Sequence, residues 1–319
     1  MTNVKTPERN STTDLDEGKN TTMPKRKSVG KRKNSKLVVR ESAKKGSVTE
    51  RIDQQREKNL ERLKHFRLID DTFMTQCFDQ NPESIELVLR IALDKPDLKV
   101  EDVRTQVNGP NLLNRSVRYD VLATDSEGRK YNIEIQRSTE DADPRRARYN
   151  SSMLDVNSLP KGADYDALPE TYVIFITEHD VFGRGKPVYK VERRFEDNGE
   201  VFDDKAHIVY VNGAYRGDTP VGKLMHDFFC TDPDDMNYKV LADRVRYFKE
   251  DTKGMQSMCK ILEEVKEEGR EEGREEGIAE NARDVACRLL AKNYPVQEIA
   301  EVTVLPLEEV EELKAQMNK

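Results

Sequence analysis

The sequence predicts an α/β fold, and three observations carry that reading. Residues 117–123 and 130–137 are rich in β-formers and flank a polar stretch containing Gly128, which reads as a hairpin. Residues 171–177 (TYVIFIT) form a continuous β-rich run, as a strand buried on both faces requires, and therefore belong near the centre of a sheet. Segments of helical apolar spacing stand before and after these strands.

In chain order, residues 49–65 are charged and helix-permissive and predict a lead-in helix. Phe73, Met74, Cys77 and Phe78 recur at helical spacing, and after Asn81-Pro82 so do Ile85, Val88, Leu89 and Ile91. Two packed helices separated by a proline-initiated turn account for both runs. A strand over 100–107 precedes the Asn108-Gly109-Pro110 turn, and the hairpin follows. Asp143-Pro144 opens a helix carrying Arg145, Arg146, Arg148 and Tyr149. Further strands are expected at 188–195 and 207–211, and helices at 219–230, 235–249 and 255–266.

Within the hairpin, Asn132, Glu134 and Gln136 are two apart and share a face, leaving Tyr131, Ile133 and Ile135 for the core. Whether Asp120 joins that face depends on the turn. A three-residue loop, Ser126-Glu127-Gly128, pairs Asp125 with Arg129 and sets Asp120 opposite Glu134. A two-residue Glu127-Gly128 loop shifts the register by one and sends Asp120 to the other face.

Composition bounds the remainder. Hydrophobic residues make up 35% and charged residues 36%, too polar for a wholly globular chain, so polar termini must dilute an ordinary middle. The net charge of −7 conceals segregation: residues 24–45 hold ten Lys/Arg against one acid, and 263–276 hold eight acids against three bases. The expected organisation is a disordered basic tail over 1–50, a folded domain over 51–262, a charged helical linker over 263–278 and a small helical module over 279–319. The PKRKSVGKRK cluster in the tail suits a solvated segment, phosphate contact or an import signal. The EEGR-EEGR-EEGI repeat puts Gly269, Gly273 and Gly277 on one stripe, consistent with a plain linker or with a helix that pairs across that stripe in a homodimer. In the last module, the stretches at 296–302 and 306–317 resemble a helix-turn-helix. However, Glu308, Glu309, Glu311 and Glu312 against Lys314 favour protein contact over a phosphate backbone.

Cys77, Cys230, Cys259 and Cys287 lack metal-ligand spacing and are expected as reduced thiols in a cytoplasmic protein. His65, His179, His207 and His226 build no zinc pattern, and Gly183, Gly185 and Lys186 lack phosphate-loop order. The longest apolar run falls far short of the roughly 20 residues a membrane helix needs.

Asp120, thirteen residues, then Glu134-Ile135-Gln136 resembles the PD-(D/E)XK nuclease superfamily, with glutamine where lysine is usual. DDTFMTQCF (70–78), NRSVRYDVLATDSEGRKYNIEIQR (114–137), TYVIFITEHDVFG (171–183) and HIVYVNG (207–213) resemble more closely the PD-(D/E)XK nuclease family transposases, the Rpn-type recombination-promoting nucleases. That resemblance runs from about residue 66 to 266. It implies a restriction-endonuclease-like core with a mixed central sheet flanked by helices, a bacterial source and metal-dependent cleavage of DNA. Carried over by position, Asp120, Glu134 and Gln136 are the catalytic set. Asp120, Glu134 and the Ile135 carbonyl hold Mg²⁺ or Mn²⁺, joined by a helix acid, with Asp71 ahead of Asp70 and Glu86. Hard cations of this kind take oxygen ligands, often one or two carboxylates plus water and phosphate. Gln136 brings no charge but can hydrogen-bond water or phosphate. Arg145, Arg146, Arg148 and Tyr149 are the expected DNA contacts, since guanidinium forks match phosphate oxygens. The rival reading is a DNA-binding or oligomerising protein that keeps the fold without cleavage.

Overall fold

Asn81 and Pro82 divide the first apolar stretch in two. In the computed structural model, which describes residues 53–111 and 115–317, a lead-in helix α1 (53–64) precedes α2 (Asp71–Phe78) and α3 (Pro82–Leu93). The Asn81 side chain accepts the Ser84 N–H at 3.2 Å, and Pro82 sits in the first turn, where its missing N–H costs no helical bond. The basic tail expected over 1–50 lies outside the described residues.

The strands are β1 (Val100–Gly109), β2 (Val117–Asp125), β3 (Lys130–Gln136), β4 (Thr171–Thr177), β5 (Val188–Val191) and β6 (Ala206–Asn212). They form one six-stranded sheet in the order β1-β2-β3-β4-β6-β5. β1, β2 and β3 pair antiparallel, β3, β4 and β6 pair parallel, and β5 closes the edge antiparallel to β6, so the sheet is mixed. β4 is buried at every position and lies between β3 and β6. β5 ends at Val191, short of the expected 195; Arg194 bridges instead to Val201, outside β6.

The hairpin turn is the three-residue form. Asp125 N–H donates to the Arg129 carbonyl at 3.1 Å, and Gly128 adopts φ 79°, a conformation that needs glycine. Val121 faces Ile133 and Ala123 faces Tyr131, a register that places Asp120 opposite Glu134. The Asp125 carboxylate anchors this turn. It is buried and accepts from the Glu127 and Arg129 N–H groups at 3.0 and 2.9 Å, and from Arg129 Nε and the Tyr131 hydroxyl at 2.6 Å each. Burial pushes its pKa up, but the Tyr131 and Arg129 hydrogen bonds outweigh burial and hold it below the usual carboxylate range. Asp125→Ala therefore strands a buried Tyr131 hydroxyl and the turn amides. A urea titration should show a loss of about 3–5 kcal/mol; a loss below about 1 kcal/mol would exclude this anchoring role.

The sheet separates two layers. Beneath one face, Tyr131, Ile133, Ile135, Ile174, Ile176, Val209 and Val211 pack with apolar residues of α2, α3 and two later helices, α5 (Pro220–Phe229) and α6 (Lys239–Glu250). On the other face, Val173, Phe175 and Tyr210 meet Ala147 and Leu154 of α4 (Pro144–Val156). α6 starts later than the expected 235, because the buried Asp227 carboxylate takes the Asn237 and Tyr238 N–H groups at 2.8 Å each and holds that link extended.

α7 (Thr252–Leu290) runs without a break through the glycine repeat. Nothing lies within 4 Å of where a Cβ would stand at Gly269, Gly273 or Gly277, so among the described residues no helix packs on that stripe. Packing at the two ends carries the helix instead. Met258 lies in the main core, while Ala286 and Leu290 cluster with Ile299 of α8 (Val296–Thr303) and Val310 of α9 (Leu307–Met317).

Candidate active site

A bend in the β1–β2 pair creates the site. Val103, Val121 and Ala123 belong to the core under α2 and α3, whereas Val107, Val117 and Tyr119, at the same strand parity, belong to the layer under α4. The change of side falls across Gln106 and Asp120. Gln106 has φ 52°, a left-handed conformation costly for a residue with a Cβ. Its side-chain amide donates to Asp71 Oδ1 at 3.2 Å and Thr75 Oγ1 at 3.1 Å, tying the bend to α2.

At this bend β2 stops pairing with β3. The last paired residues are Val121 and Ile133, and the Asp120 carboxylate then accepts the Ile135 N–H at 2.9 Å in place of a backbone carbonyl. A residue's N–H and C=O point to the same side of a strand, so the Ile135 carbonyl also faces the gap beside Asp120. Glu134 lies within β3 and is 0% exposed. Its Oε2 accepts from Arg146 Nη2 at 3.2 Å and Gln136 Nε2 at 3.5 Å. Its Oε1 is buried. Asn132, next along the same face, brings its amide close enough to favour the Glu134 carboxylate.

The electrostatics follow from burial. Burial raises the Glu134 pKa to about 7, with repulsion from Asp120 adding to it and Arg146 opposing it. Asp120 is raised to about 6, first by burial and then by Asp71, against the Ile135 amide, Arg146 and Arg118. The two acids repel, and the cations present do not offset their burial.

This donor set fits a hard divalent cation. Two carboxylates share a gap with a backbone carbonyl, all oxygen and no sulfur or imidazole. Among the described residues no group of three or more His, Cys, Asp or Glu is placed to hold a metal.

The helix acids separate clearly. Asp71 is exposed at the start of α2 and acts on Asp120. Asp70 is engaged by Arg67 at 3.0 Å and Arg137 at 3.5 Å, and Glu86 pairs with Arg90 at 2.7 Å and caps the Val100 N–H at 3.0 Å.

Beyond Glu134 opens a cavity of about 890 Å³ lined by Arg115, Arg118, Arg145, Arg146, Tyr149 and Asn150, with no acid among the described residues of its wall. Arg145 and Arg146 fall here because Asp143, whose carboxylate accepts the Arg145 N–H at 2.6 Å, starts α4 at this point. Tyr149 lends structure to the cleft: its hydroxyl donates to the Arg115 carbonyl. Arg148 is exposed on α4 and outside the cavity wall. Arg115, Arg118 and Gln106 are not among the residues expected at the site. Arg118 carried a signal, since it stands two residues from Asp120 on one strand; Gln106 carried none.

The four cysteines are free, and no helix among the described residues is long and apolar enough to cross a membrane. Comparison with known families matches residues 88–213 to the PD-(D/E)XK nuclease family transposase model. The matched segment spans β1 to β6 and contains Asp120 and Glu134. No curated protein and no solved structure matches the chain.

Proposed function

With residues 88–213 in the PD-(D/E)XK nuclease family transposases, we propose that the chain is a metal-dependent DNA endonuclease serving recombination or a mobile element. The observation that carries this reading is the pairing of buried Glu134 with half-buried Asp120, linked through Arg146 to an arginine-lined cleft. Asp120, Glu134 and the Ile135 carbonyl would hold Mg²⁺, or Mn²⁺ in its place, with Asp71 the nearest further acid. When bound, the cation supplies a lowered pKa for water and charge stabilisation at phosphate.

The chain's own residues do the rest. Arg115, Arg118, Arg145 and Arg146 present guanidinium forks to phosphate oxygens along the cleft. Tyr149 holds the Arg115 segment in place. Gln136, tethered to Glu134 Oε2, directs its amide at the water or phosphate that enters beside it. Arg148 contributes only where DNA extends over the outer surface of α4. We place the protein in the bacterial cytoplasm, with α7 to α9 as the segment through which two copies join.

The test is nicking of supercoiled plasmid with Mg²⁺ or Mn²⁺, beside Asp120→Ala. Cleavage by the wild-type protein alone, reduced at least about 10³-fold in the variant, is the expected result. Equal nicking by both, or none by either, would leave the chain as a DNA-binding or assembly protein with a nuclease fold.

A further inference from the structure

We propose that Arg146 is a catalytic residue: its guanidinium supplies, from α4, the positive charge at the scissile phosphate that Gln136 cannot supply from β3. The inference rests on the nuclease reading and assigns a residue-specific role within it. Two donors converge on one oxygen, Glu134 Oε2: Gln136 Nε2 at 3.5 Å and Arg146 Nη2 at 3.2 Å. One is a neutral amide and the other a permanent cation. The two side chains thus share one place in the site, and the charge arrives from a different element of the fold.

The placement of Arg146 suits both jobs. Its Nη1 is held by the Asp141 carbonyl at 3.1 Å, and Ala147 beside it is buried against the sheet, so the guanidinium stem is fixed. The side chain is 39% exposed and lines the cavity. A guanidinium carries five N–H donors in a planar fork; Glu134 and Asp141 do not use all of them, and Arg146 lines the cavity a phosphate would enter. Arg115, Arg118 and Arg145 line the same cavity, but only Arg146 reaches the Glu134 carboxylate.

The step it serves is hydrolysis of a phosphodiester. A water oxygen bonds to phosphorus and loses its proton to solvent; the bond from phosphorus to one bridging sugar oxygen breaks, and that oxygen takes up a proton. One phosphodiester and one water become one phosphomonoester and one alcohol. Negative charge grows on the non-bridging oxygens during the attack, and a fixed guanidinium aimed at them stabilises that stage more than the ground state.

The test compares wild type, Arg146→Ala, Arg146→Lys, and Arg146→Ala combined with Gln136→Lys, using plasmid nicking in Mg²⁺. Duplex affinity is measured by fluorescence anisotropy in EDTA, and a thermal melt is taken for each protein. Arg146→Ala should lower kcat by about 10²-fold or more, well beyond its effect on duplex affinity. Arg146→Lys should keep part of the rate, and Gln136→Lys should restore at least about tenfold to the alanine variant by returning the charge from the strand. A loss confined to KM and duplex affinity would make Arg146 a phosphate anchor and overturn the proposal. So would a folded double variant no faster than Arg146→Ala. If Arg146→Ala melts early, the decision rests on Arg146→Lys and the double variant. No cleavage by the wild-type protein defeats the nuclease reading itself, a result distinct from wild-type cleavage that survives in Arg146→Ala.

Discussion

Glu134→Gln is expected to abolish cleavage and still melt no lower than the wild-type protein at pH 8 in EDTA. Ordinarily a buried acid lost from an ion pair weakens a fold, because its partner is left unpaired. Here the balance runs the other way. Glu134 is fully buried, and burial raises its pKa even with Arg146 attached, so the pair does not repay the desolvation of the carboxylate. Arg146 is partly exposed and keeps its bond to the Asp141 carbonyl, so its loss of Glu134 costs little. The amide has the same shape and no charge, whereas cleavage needs the charge and should fall at least about 10³-fold. A thermal midpoint lower by 5 °C or more (roughly 2 kcal/mol) would show that Glu134 serves the fold first.

The second large effect is on stability against pH without divalent cations. Both acids have folded-state pKa values raised above the ordinary range, Asp120 to about 6 and Glu134 to about 7. A raised value means that the fold favours the protonated form. Their contribution is fully present below the unfolded values near 4 and is lost as pH rises through about 6 and 7. Denaturation in EDTA should therefore show the protein weaker at pH 8 than at pH 5 by on the order of 3 kcal/mol. Glu134→Gln and Asp120→Asn should each flatten that slope. Mg²⁺ should reverse the loss at pH 8, since a ligand at a hundred times its Kd adds about 2.7 kcal/mol. A level profile in EDTA, or no rise with Mg²⁺, would contradict two charges forced together in a cation-binding gap.

Much of this arrangement was legible in the chain because it depends on local rules. Asn81-Pro82 splits the first helices as cap and N1 proline do anywhere, and Asp143-Pro144 starts α4 in the same way. The unbroken apolar run at 171–177 became β4, buried throughout. Alternation put Glu134 and Gln136 on one face, and Gly128 made the three-residue turn available. Strand parity left two registers open; the structure adopts the one with Asp120 opposite Glu134. What stayed invisible involves long separations. Gln106 bends β1 through a left-handed conformation that no local residue preference announces, and its partners, Asp71 and Thr75, lie 35 and 31 residues away.

By itself, then, the sequence determined most of the elements, the two faces of β3, the short list of acids and the resemblance that gave those acids a chemistry. Such features follow from spacing, since periods of 2.0 and 3.6 and the caps at element ends are properties of neighbouring residues. Only the tertiary structure decided that β2 leaves β3 at Asp120, freeing the Ile135 amide to bind its carboxylate. It alone engaged Asp70 and Glu86 in ion pairs, and brought Arg146 onto Glu134 at the edge of an arginine-lined cleft. Those outcomes depend on which elements the core packs together. Burial then sets the charge state of the site, because the cost of removing a carboxylate from solvent is a property of everything that surrounds it.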